Sequence, residues 1–268
     1  VSAMRLIHCA CGASLIDDSL TAEQFTLPEL PTQKDLKFLD RIAREVLPED
    51  PTPSLDEIQR NPAVAHLGAP NFAPQRPSEP LRIVVSGSDR ALGLVLTRLM
   101  RADTMWAEVA YLPVDPQSPA AVLWGAGSVD LAVSGPVRPI PCIRTDFGEV
   151  VAGSAELFTG DGGGRYVGEV VVDSDVLVSP EKEYGARLVP TVDAPGIAAV
   201  PYVTPVVDKR RFFRRTPRLD GARALTGRAL QSGGNEIAVR IDDHLRPRPV
   251  NRVTFYRHLR DIQAVRGS

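Results

Sequence analysis

The chain has 268 residues, of which 43% are hydrophobic, so it can bury one large core or two modest ones. Its formal net charge is -2 and its pI is about 6.1, which gives no overall electrostatic attraction to nucleic acid or to an anionic membrane. Any partner of that kind would therefore have to bind a local patch of the surface.

The cysteines and the N-terminal segment bear on the cellular compartment. Cys9, Cys11 and Cys142 have neither the spacing of a metal site nor the even number of a disulfide framework, which favours reduced thiols. The apolar run from Met4 to Ile16 contains His8, lacks a small-residue cleavage pattern and is too short to span a bilayer. We therefore expect a cytoplasmic protein, with peripheral membrane association left open.

Residues 1–80 form an N-terminal extension together with the first part of an α/β domain. Arg5 to Cys11 has the composition of a strand, and Lys34 to Val46 carries apolar residues at helical steps. The segment from Pro48 to Pro80 is rich in proline and predicts a long loop, with one short helix at Ser54–Arg60. The sequence does not indicate a role for this region.

Residues 81–139 carry the predicted core of the α/β domain. Ile83–Val85 is a β-branched run, Ser86–Asp89 is a turn, and the apolar spacing that follows to Arg101 predicts a helix. A second strand at 106–113, a turn-rich loop and a short helix at 120–124 repeat this order. The order predicts a parallel sheet, and its turns can hold a phosphate wherever side chains leave room.

From residue 140 to residue 268 the pattern changes to short, valine-rich runs separated by Gly, Pro or Asp. This pattern is typical of an antiparallel β-sandwich or barrel. The chain is therefore predicted to be an α/β protein in which a parallel-sheet domain is followed by a β-sandwich domain, with a cleft between the two.

The first turn also resembles a known motif. Gly87-Ser88-Asp89-Arg90-Ala91-Leu92 is similar to the Gly-Gly-Asp-Gly-Thr-Leu motif of the superfamily of diacylglycerol kinases, sphingosine kinases and NAD kinases. The loop after Leu112-Pro113-Val114 lies where these kinases have a second glycine-rich loop, and Arg240–His244 is similar to their Asp-Gly-Glu turn. The resemblance covers about residues 80–266. It implies the nucleotide-binding fold of the NAD-kinase and diacylglycerol-kinase type, with ATP and Mg²⁺ as cofactors only in an active member.

The departures from that motif bear on activity. Ser88 and Arg90 replace two glycines, and the Arg90 side chain has the bulk to occupy the space of a phosphate held by the backbone. In the second loop Asp115 and Gln117 replace glycines, and two prolines remove N–H donors. We therefore expect a pseudokinase that binds a phosphorylated or lipid-like ligand, or a protein partner.

Two other hypotheses stay open. One is an active ATP-dependent lipid or NAD kinase, with Asp89 and Asp115 on Mg²⁺, Arg90 on phosphate and His244 as the base. The other is a protein that binds an anionic surface, membrane or RNA, through the six basic and two aromatic residues of the segment 209–218. An ordinary solvated loop explains that segment equally well, and the negative net charge does not favour nucleic acid.

These hypotheses give one set of candidate residues. The catalytic candidates are Asp89 and His244, and no metal site is predicted. The candidates for binding a ligand or phosphate are Gly87, Ser88, Arg90, Asp115, Gln117, Ser118, Asp242, Arg210, Arg211, Arg214 and Arg215. The sequence leaves the ligand and the oligomeric state open, with a homodimer among the options.

Overall fold

Five parallel strands form the central sheet of the first domain. The computed structural model describes residues 4–12, 22–47, 68–160, 162–206 and 216–267. The strands of this sheet are β1 (Arg5–Cys11), β2 (Glu23–Leu27), β3 (Leu81–Gly87), β4 (Glu108–Pro113) and, near the end of the chain, β15 (Gln263–Val265). Their spatial order is β15-β4-β3-β1-β2. Every residue of β3 is buried, as expected for a central parallel strand that is covered on both faces.

Helices cover both faces of this sheet. They are α1 (Phe38–Val46), α2 (Asp89–Arg101), α3 (Pro119–Trp124) and α4 (Val129–Ser134). One face packs Ile83 and Val85 together with the buried residues of α1 and α2. The other face packs Val84 and Ala110 against α4. The alternation of β3 side chains between the two clusters is the two-residue period of a strand, which fixes the register of the sheet.

A largely antiparallel ten-stranded sheet forms most of the second domain. Its strands are β5 (Ile143–Thr145), β6 (Ala155–Thr159), β7 (Gly168–Val172), β8 (Asp175–Val178), β9 (Gly185–Pro190), β10 (Ile197–Pro201), β11 (Leu225–Gly227), β12 (Ala229–Ile241), β13 (His244–Leu245) and β14 (Val250–Arg257). The long strand β12 pairs with β7 along its first half and with β6 along its second half. The sheet encloses a separate core of valine, isoleucine, leucine and aromatic side chains.

The predicted fold class is confirmed: a parallel α/β layer is followed by a β-rich domain. The strand at Arg5–Cys11 and the short helix before Gly125 are found as predicted, whereas the predicted helix from Lys34 begins with a 3-10 turn and becomes α-helical only at Phe38. The helix predicted at 54–60 lies outside the described residues.

Three elements of the fold were not predicted. Strand β2 and helix α4 belong to the first domain, and β15 returns from the second domain to pair with β4 in parallel. The boundaries at residues 80 and 139 remain predictions, but the chain enters the parallel sheet again after leaving it. The strand at the C-terminal end thereby ties the two domains together.

Within the described ranges, no helix has both the length and the apolar character that are needed to cross a membrane.

Candidate functional site

The junction between β3 and α2 is close-packed. Gly87 has a φ of +153°, and a Cβ there would lie 3.0 Å from the Cβ of Cys11 and 3.1 Å from that of Ala91. Only glycine tolerates both the backbone angle and this closeness. The next residue, Ser88, caps the helix, because its Oγ accepts a hydrogen bond of 3.2 Å from the backbone N–H of Ala91.

The carboxylate of Asp89 is buried at the start of α2 and joins three other elements. Its Oδ1 accepts hydrogen bonds from the Tyr111 hydroxyl at 2.8 Å and from the Ser118 hydroxyl at 2.6 Å. Its Oδ2 accepts a bond of 2.9 Å from the backbone N–H of Ala120, in the first turn of α3. Since a carboxylate offers about four lone-pair positions, most of the acceptor capacity of Asp89 is used within the chain.

Tyr111→Phe tests this arrangement. The Tyr111 hydroxyl contacts both Asp89 and the Gly87 carbonyl oxygen, and burial followed by the charge of Asp89 raises its pKa above the ordinary value. We expect the substitution to lower the free energy of unfolding by about 1–2 kcal/mol, because a buried carboxylate loses a donor. Urea denaturation measures the change. Tyr256→Phe is the control, since the Tyr256 ring is half-buried over Arg144, and a loss as large in the control would contradict the prediction.

A second carboxylate, that of Asp242, is buried at the turn between β12 and β13. Its Oδ1 accepts hydrogen bonds from the N–H groups of Gly153 at 2.8 Å and Ser154 at 3.0 Å, and its Oδ2 accepts one from Ala152 at 3.1 Å. Burial raises the pKa of Asp242 to about 7, the three backbone donors lower it, and the nearby charge of Asp89 raises it again. The carboxyl group is therefore held in place at an electrostatic cost.

Gly153 separates the two carboxylates. Its N–H donates to Asp242, and a Cβ on it would lie 2.5 Å from the Asp89 Oδ2 and 2.8 Å from the Ala120 nitrogen. The segment 152–154 is consequently wedged between α2, α3 and the β12–β13 turn. Asp242 thus binds this short stretch of backbone, which packs closely against the Asp89 carboxylate and the start of α3.

Four backbone donors at the two predicted phosphate loops have partners within the chain. Ala91 N–H donates to Ser88, Ala120 N–H to Asp89, Ala121 N–H to Ser118, and Gln117 N–H to Asp115. These four N–H groups are therefore not free to hold a phosphate, whereas the resemblance implies free N–H groups in an active member. Within the part of the chain that the structure describes, no three His, Cys, Asp or Glu side chains gather as a metal-ion site.

An open groove of about 350 Å³ lies beside this junction. It is lined by Arg90, Phe147, Glu149, Val239, Ile241, His244, Arg246, Pro247 and Arg248. The walls are therefore partly apolar, and four of the nine side chains are basic. One carboxylate, that of Glu149, opposes them, and both terminal nitrogens of Arg90 lie 3.4 Å from its Oε2.

Arg246 is the basic residue with the most distinctive surroundings. Its guanidinium carbon lies 4.2 Å from the centre of the Phe147 ring, a cation–π contact that fixes the plane of the group. Its Nε is buried without a hydrogen-bond partner among the described residues. The contact with Phe147 therefore holds the Arg246 guanidinium at the lining of the groove.

The candidate residues fall into three groups. Arg90 and His244 line the groove, while Asp89 and Asp242 lie buried beside it and use their oxygens within the chain. The loop candidates Asp115, Gln117 and Ser118 bond to one another or to Asp89 and do not line the groove. Arg210, Arg211, Arg214 and Arg215 lie outside the described residues.

Several residues of the site were not predicted. Tyr111, Gly153, Phe147, Glu149, Arg246 and Arg248 are brought in by the fold. Gly93 is another, because a Cβ there would lie 2.8 Å from the Asp242 Oδ2. An isolated glycine inside a helical pattern is a signal of close approach, and Gly93 shows it in the sequence.

The fold was compared with known proteins. No protein-family model and no curated protein matches the chain. Among solved structures, a putative diacylglycerol kinase from Bacillus anthracis str. Sterne matches with a TM-score of 0.63 and 8% identity, over 99% of this chain and 97% of that one. The chain therefore has the fold of this diacylglycerol kinase. An NAD kinase from Archaeoglobus fulgidus, determined in complex with ATP, matches with a TM-score of 0.51 and 11% identity, over 97% of this chain and 92% of that one.

The resemblance inferred from the degenerate motifs is thus confirmed at the level of the fold. Identities of 8% and 11% carry no information about chemistry, so the activity has to be argued from the site.

Proposed function

We propose that this protein has the kinase fold but transfers no phosphate, and that it binds a phosphorylated ligand in the basic groove. The basic lining of this groove carries the proposal, because three guanidinium groups line it and a single carboxylate, that of Glu149, opposes them. Guanidinium groups match phosphate geometry better than any other side chain does. Three of them, on Arg90, Arg246 and Arg248, line this one groove.

The occupied backbone donors support the absence of phosphate transfer. Phosphoryl transfer depends on positioning and on charge neutralisation by several groups acting together. Here four of the loop N–H groups bond to Ser88, Asp89, Asp115 and Ser118, and Arg90 lines the groove. A ligand would therefore meet side chains of the groove rather than a backbone cradle.

An active lipid or NAD kinase is the second candidate, favoured by the position of Asp89 at the start of α2 in this fold. A membrane or RNA binder that acts through residues 209–218 is the third, and only residues 216–218 of that segment are described. A protein partner that binds at the same cleft is also possible in this fold, but the arginines of the groove favour a phosphate instead.

One experiment separates the first two candidates. The wild-type protein is incubated with ATP, Mg²⁺ and either NAD or diacylglycerol, and ADP formation is measured. We expect no ADP above background. In parallel, inorganic phosphate and pyrophosphate should raise the melting temperature in proportion to the logarithm of their concentration above the Kd.

The variants assign that binding to the groove. Arg246→Gln should weaken pyrophosphate binding about tenfold or more, because a charge-assisted hydrogen bond is lost. Arg252→Gln is the matched control, since Arg252 is exposed on β14 and does not line the groove. ADP formation that disappears in Asp89→Asn would overturn the proposal and establish the kinase. Equal binding by wild type and Arg246→Gln would place the anion elsewhere.

A further inference from the structure

The groove contains an anion of its own. The Glu149 carboxylate shares a single oxygen between both terminal nitrogens of Arg90 at 3.4 Å. Charge-assisted bonds of guanidinium to carboxylate are commonly about 2.7–2.9 Å long and are strongest when each nitrogen has its own oxygen. The Arg90–Glu149 pair is consequently a loose one.

The backbone on both sides of this pair is fixed. Arg90 is the second residue of α2, and its side chain is 11% exposed. Glu149 is held by a turn in which its N–H donates to the Thr145 Oγ1 at 3.0 Å and its carbonyl accepts from the Thr145 N–H at 2.8 Å. The Glu149 side chain itself is 30% exposed. Release of Arg90 therefore needs only a rotation of one side chain toward solvent.

The charges of the groove define the ligand that would balance it. Three guanidinium groups and one carboxylate line the groove and leave two net positive charges. A dianion neutralises both charges, whereas a monoanion leaves one of them uncompensated beside apolar walls. A phosphomonoester is a dianion above its second pKa, which lies near 6, whereas a phosphodiester and a carboxylate carry a single charge.

The walls define the rest of the ligand. Phe147, Val239 and Ile241 provide apolar surface next to the arginines, and Pro247 closes one side. A phosphate attached to an apolar body would contact both kinds of surface at once. From the proposed function, on which this step rests, we infer that the groove selects phosphomonoester dianions with an apolar body, and that Glu149 competes with the phosphate for Arg90.

The test compares three probes of similar size by isothermal titration calorimetry at pH 8: phenyl phosphate, methyl phenyl phosphate and benzoate. Phenyl phosphate should bind about tenfold more tightly than either monoanion. The preference should shrink at pH 5, where the monoester carries about one charge. Arg246→Gln should abolish the binding, while the exposed control Arg252→Gln should retain it.

The second arm tests Glu149. Glu149→Gln removes the competing charge and should tighten phenyl phosphate binding roughly fivefold or more, and benzoate binding by less, because the gain scales with ligand charge. Glu169→Gln is the matched control, since it removes one carboxylate from an exposed position on β7 that does not line the groove. An unchanged affinity in Glu149→Gln would overturn the role of Glu149.

The outcomes separate the inference from the proposed function. Equal affinity for phenyl phosphate and methyl phenyl phosphate, both lost in Arg246→Gln, would overturn the dianion preference and leave the proposed function standing. Binding of none of the probes, nor of pyrophosphate, would overturn both. The monoester can come from a soluble molecule or from a lipid headgroup. Cosedimentation with phosphatidylcholine vesicles, with and without phosphatidic acid, distinguishes these sources. If the ligand is a lipid headgroup, the protein should sediment with the vesicles that contain phosphatidic acid and not with the others.

Discussion

Gly153→Ala should be among the most destabilising single-methyl substitutions at the domain junction. A Cβ at this position would lie 2.5 Å from the Asp89 Oδ2, 2.8 Å from the Ala120 nitrogen and 3.1 Å from the Pro119 Cβ. Two of these three atoms belong to the rigid first turn of α3 and cannot move independently. We expect the free energy of unfolding to fall by about 3 kcal/mol, near the upper end of the usual cost of overpacking.

Urea denaturation followed by circular dichroism measures this change. Gly221→Ala is the matched control, because Gly221 lies in a short 3-10 turn and an added methyl group there would have no other atom within 4 Å. The control should change stability by no more than about 0.5 kcal/mol, in either direction. If both variants unfold at the same urea concentration as the wild type, then segment 152–154 is not wedged between the domains as described.

Gly153→Ala should also weaken pyrophosphate binding, although residue 153 does not line the groove. The segment 152–154 anchors Asp242, and the turn after Asp242 carries His244 into the groove. A methyl group that pushes this segment away from α2 moves His244 relative to Arg90. The positions of Arg90 and His244 in the groove both depend on the packing of segment 152–154, so a substitution that loosens this packing should weaken binding as well as stability.

Local patterns in the sequence were sufficient to predict the first sheet and its turns. The β-branched run before Gly87 and the apolar spacing after Asp89 depend on neighbours within a few residues, and both give the observed strand and helix. The same holds for α3, where Ser118 caps the helix, Pro119 occupies its first position and Gly125 ends it in a left-handed conformation. Each of these signals is confined to one turn of chain.

The groove could not be predicted in this way, because its parts are distant in sequence. Arg90 and Arg246 are brought to one wall only after β12 has crossed the second sheet and turned at Asp242. Strand β15 is a similar case, since three residues near the C-terminus carry no sign of the sheet they join. Such placements are determined by tertiary packing, which local sequence propensities do not predict.

The two buried carboxylates differ in how far the sequence revealed them. Asp89 follows a recognisable turn, and its role as the residue that joins α2 to α3 needs Tyr111 and Ser118, which no local pattern links to it. Asp242 lies in the stretch that resembles the Asp-Gly-Glu turn, and the structure has a turn there, with positive φ values of 48° at Asp242 and 61° at Asp243. The sequence could not tell which of the two aspartates is buried, because they differ only in which face of the turn they occupy.

Because Asp242 is the buried one of the two, we expect its titration to make the stability of the protein depend on pH. Its pKa in the folded protein is about 7, raised from an ordinary value of 3.8 chiefly by burial. Between these two values the folded state binds more protons than the unfolded state does. The contribution of this group to stability is therefore complete below about pH 4 and is lost as the pH rises through about 7, where it has fallen by about 2–4 kcal/mol.

Asp242→Asn isolates this contribution, because the amide has nearly the shape of the protonated acid and does not titrate. Wild type and variant are unfolded in urea at pH 5 and at pH 8, and the difference between their unfolding free energies is compared. We expect that difference to shift by about 2–4 kcal/mol in favour of the variant at the higher pH. Comparing the two proteins at each pH cancels the titration of all other groups.

Asp243→Asn is the matched control, because Asp243 is the exposed neighbour in the same turn and asparagine tolerates its left-handed backbone. Its difference from wild type should stay the same at both pH values. A shift in the opposite direction for Asp242→Asn, with the wild type gaining at pH 8, would mean that the three N–H donors of residues 152–154 outweigh burial. The carboxylate would then be a stabilising anion despite the negative charge of Asp89 nearby.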